Sequence, residues 1–143
     1  MTDSSFVDTN VVVYAFDDDE PARQRRAQDV LSEPEAMLVV STQVLAEFFV
    51  TVTRKLERPL DASTARQAVS ELAELPVVAT DARLVIDAVD LAQEHQLSLW
   101  DALIVQAAVT AGCTTLLSED LADGSVLAGV RVDNPFADIT ETS

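Results

Sequence analysis

Short apolar runs of strand length alternate with stretches of helical period along this chain. Ser5 to Asp8, Met37 to Val40, Val77 to Ala79 and Thr114 to Leu117 are compact runs bounded by polar or turn residues, which predicts strands. Val130-Arg131-Val132 is a candidate fifth. Between them the period changes. Asn10 to Phe16 predicts one or two helical turns, and Ala22 to Leu31 a longer helix. Asp17-Asp18-Asp19-Glu20-Pro21 starts that helix, because proline suits a first turn and acids suit the positive end of its dipole. Ser41 or Thr42 caps a helix carrying Val44, Leu45, Phe48, Phe49, Val52 and Leu56, which Pro59 ends. Asp61 to Leu75 and Asp81 to His95 predict two more. Ser98 caps a last helix over Leu99 to Ala111, with Gly112 as its stop.

Strands alternating with helices predict an α/β fold with a mainly parallel sheet. In such sheets ligands bind beyond the carboxyl ends of the strands. Three glycines and five prolines among 143 residues leave long elements joined by short connections. A chain of this length predicts one domain over 1–143, with a polar tail at 137–143. No apolar run approaches the roughly 20 residues that span a bilayer. The start of the chain lacks the basic and apolar stretches of a signal peptide. Cys113 is alone, so no internal disulfide framework or cysteine zinc cluster is expected. These features predict a cytoplasmic protein.

The net charge of −16 argues against a simple DNA-binding module, since gripping phosphates requires cations. It leaves room for a nuclease, because bound metal ions invert the local field. Arginine outnumbers lysine eight to one, a bias expected from either a high-salt cytoplasm or base composition. Arg23, Arg25 and Arg26 form one basic cluster and Arg54, Lys55 and Arg58 another. Each reads first as a solvated helix face, yet these are the places where a phosphate backbone could be held.

Four carboxylates fall where strands end or helices begin: Asp8, Glu47, Asp101 and Asp120. Asp8 ends an apolar run and precedes Thr9-Asn10, so it is a helix cap or a site residue. Glu47 shares the polar side of its helix with Gln43 and Arg54, away from Leu45 and Phe48. Asp101 stands in a helix that is apolar nearly all round and therefore predicted to be buried. It fits a capping box with Ser98 as well as it fits a metal site. Asp120 lies in the polar segment Ser118 to Gly124, where Glu119 or Asp123 are alternatives. Gathered at one end of a sheet, such acids repel one another unless a cation sits among them. Mg²⁺ or Mn²⁺, which prefers oxygen ligands, is the matching ion. Thr9 and Ser118 are candidates to orient waters or ligands. His95 is the sole histidine, so a hydrolytic triad is not expected, and Cys113 reads as a small buried residue. No glycine-rich loop is present to cradle a nucleotide.

Taken in order, Phe6-Val7-Asp8-Thr9-Asn10-Val11, Ser41 to Phe48, Leu97 to Ile104, Leu116 to Leu121 and Val132 to Phe136 resemble the motifs of the PIN-domain ribonucleases. The nearest resemblance is to the VapC-like toxins of prokaryotic toxin–antitoxin pairs, and it covers nearly the whole chain. It implies a three-layer α/β/α fold with a roughly five-stranded parallel sheet. It also implies Mg²⁺ or Mn²⁺ held by Asp8, Glu47, Asp101 and Asp120, and cleavage of RNA. The fourth acid is the position that varies most in that family. A homodimer and inhibition by a small VapB-like antitoxin are further implications. Two rivals are a PIN-like binding protein without turnover and a metal-dependent phosphatase or phospho-acceptor domain. The latter wants a lysine near its aspartyl nucleophile, and Lys55, the only lysine, has no evident place from sequence.

Overall fold

The computed structural model describes residues 3–140. Among them, strands β1 (Ser4–Val7), β2 (Met37–Ser41), β3 (Val77–Val78), β4 (Thr115–Leu117), β5 (Val126–Leu127) and β6 (Val130–Asp133) form one sheet. The helices are α1 (Thr9–Tyr14), α2 (Pro21–Ser32), α3 (Thr42–Arg54), α4 (Ala62–Leu72), α5 (Ala82–His95) and α6 (Leu99–Thr110). The sheet order is β3-β2-β1-β4-β6-β5. All pairings are parallel except β5 with β6.

Leu38, Val39 and Val40 are consecutive and all buried. Successive strand residues point to opposite faces, so both faces of β2 are covered. That is the three-layer α/β arrangement the alternating pattern predicts. From β1 the chain builds outward through β2 to β3, then returns to place β4 on the other side of β1. Strand order therefore reverses between β1 and β4, and a crevice opens at their carboxyl ends.

Three features differ from the sequence reading. The sheet has a sixth strand, β5, which pairs antiparallel with β6 across Ala128-Gly129. Both turn residues have positive φ, 51° and 83°, the backbone of a tight hairpin whose usual signal is Asn-Gly. Ala-Gly does not carry that signal. Secondly, α6 is not buried throughout: Ala102 to Val105, Ala107 and Ala108 are, but Leu99 and Trp100 are exposed. Thirdly, the segment after Phe136 is tied down over its described part. Phe136 is buried against the Tyr14 ring, and Arg26 donates to both carboxylate oxygens of Asp138, holding its pKa down to about 2. Residues 141–143 of the expected tail lie outside the described residues.

Other boundaries agree within a few residues. Ser41 caps α3 through Val44 N–H, and Gly112, at φ 72°, lies just past the end of α6. Cys113 is buried. No helix among the described residues is long and apolar enough to cross a membrane.

An alanine at φ 51° sits in the left-handed region, which costs an L-residue roughly 1–2 kcal/mol and asparagine less. Ala128→Asn is expected to stabilise the protein by about 1 kcal/mol, read as a higher urea midpoint. An unchanged or lower midpoint would contradict the hairpin geometry.

Candidate active site

Each of the four acids is delivered to the crevice by a different local rule. Asp8 follows β1 directly and caps α1, accepting from Thr9 N–H at 2.7 Å. Its backbone N–H bonds the Leu117 carbonyl of β4 at 3.0 Å, so it sits at the switch point itself. Ser118 follows β4 and donates its hydroxyl to the other Asp8 oxygen at 2.8 Å. It also accepts from Asp120 N–H at 3.2 Å, fixing the turn that carries the fourth acid.

Glu47 lies in the second turn of α3, which starts where β2 ends. The Thr9 hydroxyl donates to its Oε1 at 2.8 Å, linking α3 to the β1 turn. Asp101 reaches the same edge from the opposite chain direction. Thr114, just past α6, bonds the Ser4 carbonyl at the start of β1. The far end of α6 therefore lies at the strands' carboxyl ends. Gln96, in left-handed conformation, turns the chain out of α5, and Ser98 then caps α6 through Asp101 N–H at 3.1 Å. The Ser98 half of the expected capping box is thus present, and Asp101 also lines the crevice.

Asp8, Glu47, Asp101 and Asp120 together line one cavity of about 550 Å³. Glu119 and Asp123 are engaged elsewhere. Glu119 accepts from the Tyr14 hydroxyl at 2.6 Å and from Arg23 Nε at 2.9 Å, while Asp123 accepts from Asn134 N–H at 2.9 Å. The Glu119 contacts anchor the loop after β4 to α1 and α2. They also push the Tyr14 hydroxyl pKa up, with burial the larger cause. Arg23 stacks over Tyr14 and Arg58 pairs with Asp19, so much of both basic clusters serves the fold.

The electrostatics show a site short of positive charge. Burial pushes the Asp8 pKa up to about 6, against the opposing bonds from Ser118 and Thr9, with Asp120 and Glu47 adding repulsion. Asp120 is also raised, first by partial burial of its carboxyl and then by Asp101, Glu119 and Glu47. The Asn10 amide beside it favours the charged form but does not reach hydrogen-bond geometry. Among the described residues, no three histidine, cysteine or acidic side chains converge tightly enough to hold a metal ion as they stand. The donor set is all oxygen, which suits a hard dication, and each Asp8 oxygen keeps a second lone pair beyond the bond it accepts.

Two residues lining this cavity carried little weight in the sequence. Lys55, at the end of α3, reaches the same cavity. Trp100 lines it as well, despite sitting in an apolar helix pattern that reads as core. Helical spacing puts Arg54 rather than Lys55 on the side of Gln43 and Glu47, so the sequence carried no signal for the first.

The family model of the PIN domain matches residues 5–122. No curated protein matches in sequence. A toxin–antitoxin complex from Klebsiella pneumoniae has a chain that superposes with a TM-score of 0.70 at 20% identity, covering 92% of this chain and 98% of that one. Mycobacterium tuberculosis VapC20, described as a toxin cleaving the sarcin–ricin loop, gives 0.65 at 20%, with 90% and 99% covered. VapBC2 from Rickettsia felis, bound to a DNA fragment from their promoter, gives 0.62 at 18%, with 91% and 97% covered. At such identities the likeness carries the fold.

Asp8 ionises near pH 6 folded and near 3.9 unfolded. Its folded carboxyl is therefore neutral at no cost below about pH 4, and stability is lost as pH rises through 6. The cost at pH 7.5 is about 3 kcal/mol. Asp8→Asn, which keeps a capping side chain, is expected to raise the thermal midpoint at pH 7.5 in EDTA and to lose that advantage by pH 4. A pH-independent difference would show that Asp8 is not strained by its charge.

Proposed function

Because the chain belongs to the PIN domain family, we propose that it is a divalent-metal-dependent endoribonuclease, the toxin of a type II toxin–antitoxin pair. The observation carrying this reading is the meeting of Asp8, Glu47, Asp101 and Asp120, from four distant segments, around one cavity at the sheet's switch point. Asp8 and Asp101 are the central ligands for Mg²⁺ or Mn²⁺, with Glu47 and Asp120 completing the set directly or through water. Bound there, such an ion would activate a water for attack on phosphorus and stabilise charge on the leaving oxygen.

The chain's own residues supply the rest. Ser118 and the Thr9 amide hold both Asp8 oxygens in a fixed orientation. The Thr9 hydroxyl holds Glu47 within reach of the same space. Hydrolysis joins the water oxygen to phosphorus and breaks a bridging P–O bond, and the departing oxygen ends protonated. An ion held by Asp8 and Asp120 would keep both ionised, so the proton lost by the attacking water would reach the departing oxygen through solvent.

The partner is proposed to be a small VapB-like antitoxin, in keeping with the toxin–antitoxin complexes that share the fold. A cationic partner would be steered in by the net charge of −16. A homodimer acting in the cytoplasm completes the reading. Lys55 in the cavity is the one observation favouring the phospho-acceptor alternative, and phosphorylation of Asp8 by a small phosphodonor would support it.

Antitoxin-free protein is expected to cleave total cellular RNA with millimolar Mg²⁺ or Mn²⁺ and to stop in EDTA. Asp8→Asn and Asp101→Asn should each lower the rate by about 100-fold or more, with unchanged folding by circular dichroism. Fully active, folded Asp8→Asn protein would remove this site from the chemistry. A silent wild type with either metal would favour a binding role.

A further inference from the structure

The cavity has two rim residues that metal chemistry does not require. Trp100 is the chain's one tryptophan, and it is 65% exposed although the helix behind it is buried. Its carbonyl accepts from Gln43 Nε2 at 3.5 Å, which places it beside the first turn of α3. Lys55 caps the other end of α3. Gln43, Glu47, Thr51 and Lys55 all line the cavity, so one face of α3 forms a continuous wall. Its rise from Gln43 to Lys55 is about 18 Å, longer than two stacked nucleotides at roughly 3.4 Å each.

Charge makes this rim significant. A protein with a net charge of −16 gains no long-range attraction for nucleic acid, so its grip must be local. Arg23, Arg26 and Arg58 are held in ion pairs. Lys55 is in none of the ion pairs among the described residues. Stacking on an aromatic ring needs no positive charge and is open to any base. A base inside an A-form duplex has both faces covered by its neighbours, whereas an unpaired base can splay out onto an indole.

We propose that Trp100 and Lys55 are the two substrate clamps of this site. Trp100 stacks on an unpaired base and Lys55 holds a backbone phosphate, so that the strand along α3 carries its scissile phosphate past Asp8 and Asp101. This rests on the ribonuclease reading but has its own readout, because every tryptophan photon comes from Trp100.

The test titrates Asp8→Asn protein, which leaves RNA intact, with poly(U) and with the poly(A)·poly(U) duplex while recording tryptophan fluorescence. Poly(U) should quench saturably and the duplex should not, and adding Lys55→Ala should weaken the titration about 5-fold or more. In the otherwise native protein, Trp100→Ala should raise KM about 10-fold for an RNA the wild type cleaves, with the loss in KM rather than kcat. Trp100→Phe should recover most of it. Equal quenching by the duplex, or an unchanged KM in Trp100→Ala beside an active wild type, would overturn the clamp alone. Emission that follows protein concentration and ignores RNA would mean a second copy covers the indole, which also overturns it. Quenching by poly(U) in a protein whose wild type cleaves nothing would instead sink the nuclease reading and leave the clamp standing.

Discussion

Asp8 is a carboxylate that folding takes out of water with no basic side chain among the groups that set its pKa. Its side chain is buried, its pKa stands near 6, and two further carboxylates add repulsion. The Ser118 hydroxyl and the Thr9 amide offset part of that cost. Much of the site follows from this strain. The α3 wall is linked to the β1 turn by the Thr9–Glu47 bond, and the loop after β4 is locked by Ser118, so the neighbours of Asp8 are held in place.

The scaffold places these groups with ordinary devices. A strand end supplies Asp8, a helix cap orders the turn before Asp101, and β2 runs straight into the helix carrying Glu47. The parallel sheet makes those devices converge. Strands that share a direction put their carboxyl ends on one edge, and α6, running back against them, starts at that edge. Tyr14, itself part of the cavity wall, and Arg23 hold Glu119, which leaves Asp120, rather than its neighbour, facing the cavity.

The rim is chemically unlike the floor. The floor is oxygen-rich and negative, suited to a hard ion, whereas Trp100 and Lys55 offer a π-face and one cation at opposite ends of α3. In a strongly acidic protein, such a division would let a phosphate chain approach without a general basic surface.

The chain itself determined the alternation of strands and helices, most boundaries and the acids worth following. These are local matters: side-chain period, caps at Ser41 and Ser98, and the stop at Gly112. The hairpin at Ala128-Gly129 escaped because its turn lacks the residues that normally adopt that backbone. The exposed first turn of α6 escaped because hydrophobic period reports which residues want burial, not which of them border a cavity. Whether Glu119 or Asp120 faces the cavity, and that Lys55 and Trp100 share it, was decided only by tertiary contacts. Positions from 8 to 120 meet there through strand order, and strand order is a property of long-range pairing that no local pattern encodes.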